Sequence, residues 1–163
     1  MKMKKRIFRT IGVSSLALVG LLTFAGVWAS AQKSNEQGLI GSWDLQVTLR
    51  DCDSGFPFVT FLAMNTYNQG GTTQQTAIPE PGVTALPGHG VWSHDIGRNY
   101  SGAFRFLILN PDPALVRRVT VRSAISLGLD GNSYTSTDAA EIRNLNGDLI
   151  QSACSTSVAT RFE

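Results

Sequence analysis

The chain has 163 residues, of which 42% are hydrophobic, and a formal net charge of +2; this is the size of a single domain with an ordinary core. Five of its fourteen basic residues lie within the first nine positions, so the rest of the chain has nine basic residues against twelve acidic ones. A slightly acidic chain offers no electrostatic basis for binding nucleic acid or an anionic membrane surface. We therefore expect neither partner.

The first 31 residues have the pattern of a bacterial export signal. A basic segment is followed by an apolar run over 11–28 and by Ala29-Ser30-Ala31, whose small residues suit a signal peptidase. An uncleaved membrane anchor is the alternative, because the apolar run is just long enough to cross a bilayer. We predict cleavage after Ala31, a polar flexible lead-in over 32–38 and one domain over 39–163, secreted or periplasmic and free of the membrane.

The two cysteines, Cys52 and Cys154, are predicted to form a disulfide, since cysteines of exported proteins usually pair. Two buried free thiols are the alternative. A metal site is disfavoured because no further ligand stands near either cysteine at a useful spacing. We expect no metal and no cofactor.

Beyond residue 38 the sequence shows almost no helical periodicity. Short runs of alternating apolar and polar residues are bounded by turn residues, which is typical of all-β proteins. Short connections, including the hairpin turns Asp130-Gly131 and Asn146-Gly147, favour antiparallel neighbours in an up-and-down barrel, which leaves no exposed edge. In chain order, the eight predicted strands are 39–50, 57–67, 71–77, 91–95, 100–109, 115–129, 133–145 and 149–162.

The segment 78–90 interrupts this alternation with three prolines and three glycines. Proline lacks the amide hydrogen that a sheet interior needs, so we expect a loop here and not an interior strand. Long loops are often functional, for example as a lid over a barrel mouth, and a plain surface loop is the alternative.

Gly41-Ser42-Trp43 in the first strand and Arg161 in the last resemble the signature of calycins, the lipocalin-like barrels. The resemblance implies a single eight-stranded antiparallel barrel in which the arginine covers the indole and plugs one end, a cation–π contact of roughly 0.5–2 kcal/mol. The whole exported part resembles a group of uncharacterised exported bacterial lipocalin-like proteins, which implies fold and export but no activity. The residues that carry this second resemblance are 41–43, 51–52, 70–72, 87–92, 154 and 160–163.

Two pairings predict the same register between the first and last strands. Opposed residues of an antiparallel pair have a constant number sum, which is 204 for Trp43 with Arg161 and 206 for Cys52 with Cys154. A difference of two fits a diagonal neighbour or a cysteine just beyond the strand. The inward face of the last strand stays open, because Arg161 shares its face with small residues while large apolar ones share the other.

The two histidines, His89 and His94, are not expected to share a metal, because odd and even positions of a strand face opposite ways. Ser93, His94 and Asp95 are adjacent in sequence, whereas a nucleophilic triad converges from separate elements. Phosphate, dinucleotide and zinc-protease motifs are absent from the sequence. His89, flanked by glycines, is the better functional candidate, with a hydrogen bond that holds the loop as the alternative.

Aromatic residues are concentrated in the middle of the chain and favour a binding pocket. An eight-stranded barrel is wide enough either to be filled by side chains or to hold one small ligand. We predict non-catalytic binding of a small, mainly apolar molecule. The predicted lining residues are Trp92, Tyr100, Phe104 and Phe106, with Tyr67 as a polar orienting group, and Phe56, Phe58 and Phe61 belong to the same concentration of aromatics.

Two alternatives stay open. One is an isomerase or cyclase acting on an apolar substrate, in which His89 or Tyr100 would handle a proton. The other is a structural or interaction module with a solid core. Arg118 and Arg122 are expected to face solvent if Val119 and Val121 face inward. The oligomeric state is not indicated.

Overall fold

A computed structural model describes residues 38–78, 82–109 and 115–162. The predicted export signal and nearly all of the predicted lead-in lie outside these residues. Within the described ranges the regular structure is entirely β, and they contain no helix that could span a membrane.

Nine strands follow one another in the part of the chain that the structure describes. Eight are long and the fourth has only two residues. Their bounds are β1 Gly41–Arg50, β2 Pro57–Tyr67, β3 Thr72–Ala77, β4 Thr84–Ala85, β5 Gly88–His94, β6 Asn99–Leu109, β7 Leu115–Leu127, β8 Ser133–Arg143 and β9 Leu149–Arg161.

Eight of these strands close into an antiparallel barrel. Around the wall the order is β1, β2, β3, β5, β6, β7, β8 and β9, and β9 pairs back onto β1. β4 pairs only with the end of β6, where Thr84 lies opposite Leu109. The predicted fold class is therefore confirmed, with one short additional strand.

The register between β1 and β9 is the one that the sequence predicts. Trp43 lies opposite Arg161, and the pairing continues to Arg50 opposite Cys154. Cys52 lies two residues beyond the end of β1 and forms the disulfide with Cys154. That position explains why the residue numbers of the two cysteines add up to two more than those of the paired strand residues.

The structure decides which face of β9 lies inside. Ser157 and Ala159, on the face of Arg161, are 4% and 1% exposed, whereas Val158 on the other face is 57% exposed. Small residues line this wall because Ala159 lies directly opposite Tyr134, whose ring fills the adjoining bore. Large apolar side chains of β9 consequently face solvent.

The expectation of a loop over the whole of 78–90 is wrong at its end. Gly88, His89 and Gly90 already belong to β5, and Gly90 lies opposite Phe104 of β6. A Cβ atom on Gly90 would collide with the backbone of Ala103 and Phe104. Glycine is therefore required here by the close approach of two strands and not by a turn.

Candidate functional site

One end of the barrel, which we call the closed end, is plugged by Trp43 and Arg161. The indole is fully buried, and its Nε1 donates to the carbonyl of Leu39 at 3.0 Å. The guanidinium lies 4.2 Å from the ring centroid and donates to the carbonyls of Gly38, Ile40 and Gly131 at 2.7–2.9 Å. Burial lowers the pKa of Arg161 from its usual value, and the side chain stays a cation. The plug implied by the calycin resemblance is present.

The glycine of the Gly-x-Trp motif has a structural cause. Gly41 has a φ of 133°, and a Cβ atom there would press against the guanidinium of Arg161. The motif therefore provides both the ring and the space for its cover.

Burial decreases along the inner wall from the closed end to the opposite end, which we call the open end. On β1, Trp43, Leu45 and Val47 are buried, whereas Leu49 is partly exposed. β2, β8 and β9 repeat this gradient, so solvent reaches the inner wall on this side of the open end. The partly exposed inward side chains on those three strands are Phe61, Ala140, Ile142, Ala153 and Ser155.

The predicted pocket aromatics all lie on the inward face, but in two places. Tyr67 and Tyr100 are buried in the core of the closed half, and the hydroxyl of Tyr100 occupies space left by Gly38. Trp92 packs against that core, with ring centroids 6.0 Å from Tyr67 and 5.9 Å from Tyr100. The closed half is therefore filled with side chains.

The two remaining predicted aromatics lie further towards the open end. The rings of Phe104 and Phe106 stack with centroids 6.3 Å apart. Phe56 and Phe58 do not join them, because they are 70% and 61% exposed to solvent.

The two histidines lie at different places on β5. His89 is exposed opposite Arg105. His94 lies at the closed end, where its Nε2 is 2.8 Å from the carbonyl of Gly97 and its ring 4.9 Å from that of Tyr100. No group of three or more potential metal ligands occurs among the described residues.

A polar group inside the barrel was missed by sequence reasoning. Asp138 of β8 is only 7% exposed. Its Oδ2 accepts hydrogen bonds from the hydroxyls of Ser136 at 3.1 Å, Ser157 at 3.1 Å and Ser155 at 3.3 Å. These hydroxyls offset part of the cost of burying a carboxylate.

A second polar group lies deeper. The Nδ2 of Asn65 donates to the phenol oxygens of Tyr67 at 3.1 Å and Tyr134 at 3.4 Å, and the two phenol oxygens are 3.4 Å apart. Burial raises the pKa of both phenols, and the negative charge of Asp138 adds to the rise. The Oδ1 of Asn65 is buried and has no hydrogen-bond partner among the described residues.

Asp138 belongs to a row of directly opposed inward residues across six strands, which we call the middle row. Apart from Asp138, three of its members have short side chains or none, which are Gly102, Ser123 and Ser155. A Cβ atom on Gly102 would meet nothing closer than 3.6 Å. In wall order the row is Trp92, Gly102, Ser123, Asp138, Ser155 and Leu49.

Two concave regions of about 510 and 760 Å³ lie along the wall from β5 to β9. Outward side chains such as Val91 and Val158, which are 61% and 57% exposed, contribute to their lining. Inward residues contribute as well, and the larger region is lined by four members of the middle row, which are Trp92, Gly102, Ser123 and Asp138.

Compared with known protein families, curated proteins and solved structures, the chain matches none.

Proposed function

We propose that the barrel binds one small, mainly apolar molecule without catalysis, in the half of its bore between the middle row and the open end. The observation that carries the proposal is the burial gradient, which makes the inner wall accessible from one end while Trp43 and Arg161 plug the other. Binding sites are typically concave and mainly apolar with a few polar groups.

The side chains around this half of the bore suit such a ligand. Phe61, Phe104 and Phe106 supply apolar surface, while Gly102 and Ser123 leave space between them. Tyr67 and Tyr100 belong to the packed core of the closed half, next to the proposed site. They would support the lining residues and would not contact the ligand themselves.

Non-catalytic binding is favoured over an isomerase or cyclase by the position of the proton-handling candidates. His89 faces solvent and Tyr100 is packed in the core of the closed half, so neither candidate faces the half of the bore in which we place the ligand. The other alternative is a structural or interaction module whose barrel is filled with side chains. The packing of the closed half supports it, and the small side chains of the middle row argue against it.

A location outside the cytoplasm, secreted or periplasmic, is part of the proposal. The disulfide between Cys52 and Cys154 supports it, because disulfides persist mainly in oxidising compartments. A relationship to the calycins is also part of the proposal, and it is supported by the barrel and by the plug of Trp43 and Arg161.

The test uses a neutral apolar naphthylamine dye and two variants that introduce the same residue. Gly102→Val projects an isopropyl group into the bore, whereas Ala124→Val enlarges an exposed position on the outer face of β7. We expect Gly102→Val to weaken dye binding by about tenfold or more and Ala124→Val to leave it unchanged, measured by fluorescence titration. Equal binding by wild type and Gly102→Val would contradict an interior site, as would dye binding in neither wild type nor Ala124→Val.

Native mass spectrometry of the protein purified from its own source is the complementary measurement. A small molecule that copurifies with wild type and is lost in Gly102→Val would identify the ligand directly.

A further inference from the structure

The interior of the barrel holds hydrogen-bond acceptors that lack donors. Three serine hydroxyls converge on Oδ2 of Asp138, and no described residue donates to its Oδ1. Asn65 is 5% exposed, and its Oδ1 is buried and has no partner among the described residues. Leaving this buried oxygen unpaired is costly unless something supplies the missing donor.

The charge of Asp138 also lacks a counter-ion. The ion pairs formed within the described residues join Glu141 to Arg122 and Arg143 on the outer face, and none includes Asp138. Arg161 is engaged at the closed end by backbone carbonyls and the ring of Trp43. A carboxylate inside a barrel is expensive without a paired cation.

The two acceptors face the interior of the same barrel. Tyr134, Ser136 and Asp138 are successive inward residues of β8, and successive inward positions on a strand are about 7 Å apart. Asn65 is hydrogen-bonded to the hydroxyl of Tyr134 at 3.4 Å. The charge of Asp138 acts on the phenols of both Tyr67 and Tyr134, which raises their pKa in addition to the effect of burial.

From this arrangement we infer that the ligand is an apolar primary amine, whose ammonium group binds between Asp138 and Asn65. An ammonium group has three donors and no acceptor, so it matches a site with unpaired acceptors and a carboxylate. Its hydrogen bonds to the carboxylate are charge-assisted and stronger than those of a neutral hydroxyl. The apolar remainder of the molecule then extends towards Phe104 and Phe106. This inference rests on the proposed function, since it names the chemistry of the molecule bound in the same bore.

The test compares three compounds with the same unbranched apolar chain, which end in a primary amine, a hydroxyl or a carboxylate. Isothermal titration calorimetry with wild type is expected to show the amine binding about tenfold or more tightly than the alcohol, and the carboxylate binding most weakly. In Asp138→Asn, which keeps the shape of the side chain and removes its charge, the preference for the amine over the alcohol should fall to about threefold or less.

Two further variants separate loss of the site from loss of the fold. Asp44→Asn removes an exposed carboxylate from the outer face of β1 and should keep the wild-type preference. Asn65→Ala removes the second acceptor and should reduce amine binding more than alcohol binding, with the alcohol reporting that the bore is intact.

The outcomes distinguish this inference from the proposed function. If wild type binds the amine and the alcohol equally, or if Asp138→Asn keeps the full preference, the amine assignment is overturned while an interior apolar site stands. If none of the three compounds binds, both are overturned.

Discussion

Two buried charged side chains, Arg161 and Asp138, are accommodated in different ways. Arg161 donates to three backbone carbonyls and lies flat over Trp43, so its donors and its charge are matched at the closed end. Asp138 accepts from three serine hydroxyls on one oxygen and meets no cation among the described residues. The first arrangement is typical of a structural plug, and the second is the one on which the proposed amine site rests.

Substitution of Arg161 by lysine tests the plug. Lysine carries the same charge, but it cannot place a planar group over the ring while it donates to the carbonyls of Gly38, Ile40 and Gly131. We expect Arg161→Lys to lower the free energy of unfolding by about 2 kcal/mol, measured by urea denaturation. Arg105→Lys is the control, because Arg105 is exposed and makes one side-chain hydrogen bond, to Thr120. Equal stability of the two variants would refute a structural role for the guanidinium.

At the scale of the strands, glycine occurs at one position of β5 and one of β6 for opposite structural reasons. Gly90 permits the backbones of β5 and β6 to approach where Phe104 lies opposite. Gly102 faces the bore with space around it. One glycine is therefore needed for the wall to form, and the other is needed only for the space that it leaves inside.

The pair Gly90→Ala and Gly102→Ala tests this distinction with the same added methyl group. At Gly90 the methyl group collides with backbone atoms of Ala103 and Phe104. We therefore expect Gly90→Ala to lower the free energy of unfolding by about 2 kcal/mol or more. At Gly102 the nearest atom is 3.6 Å from the added Cβ, so the methyl group fits without a collision. Alanine also leaves the unfolded chain fewer conformations than glycine does. We therefore expect the free energy of unfolding of Gly102→Ala to stay unchanged or to rise by about 1 kcal/mol. Thermal and urea unfolding of both variants give the comparison, and a larger loss at Gly102 than at Gly90 would contradict it.

At the scale of the whole molecule, the barrel depends on joining its two ends. β1 and β9 pair over eight successive positions, from Trp43 with Arg161 to Arg50 with Cys154. The disulfide continues that seam beyond the end of β1 and spans 102 positions of the chain. Strands β2 to β8 and the first part of β9 lie between the two cysteines, so the bond closes a long loop in the unfolded chain.

The double substitution Cys52→Ala with Cys154→Ala tests the contribution of this bond. Because the closed loop is long, we expect a loss of about 4 kcal/mol in the free energy of unfolding, measured by urea denaturation of the oxidised protein and the double variant. The matching chemical test is a thiol count, which should detect no free thiol in the native protein and two after reduction. Two free thiols in the native protein would contradict the bond.

The sequence alone was sufficient for the strands and for the closure of the barrel. Alternation and turn residues mark strands within a few positions, and the constant number sums of Trp43 with Arg161 and Cys52 with Cys154 predict the seam that is observed. The plug residues of the candidate site were predicted from the resemblance of Gly41-Ser42-Trp43 and Arg161 to the calycin signature. These features are local or depend on two ends whose spacing can be counted.

Only the tertiary structure decided which faces lie inside and what they hold. The alternation of β8 is equally compatible with Ser136 and Asp138 facing solvent. In the last strand the large apolar residues share one face and Arg161 belongs to the other, so the sequence does not decide which face lies inside. Asp138 lies inside because the neighbouring strands place Tyr134 and Ala159 in the core. A strand has two faces of equal geometry, so the choice between them depends on the packing of all the other strands.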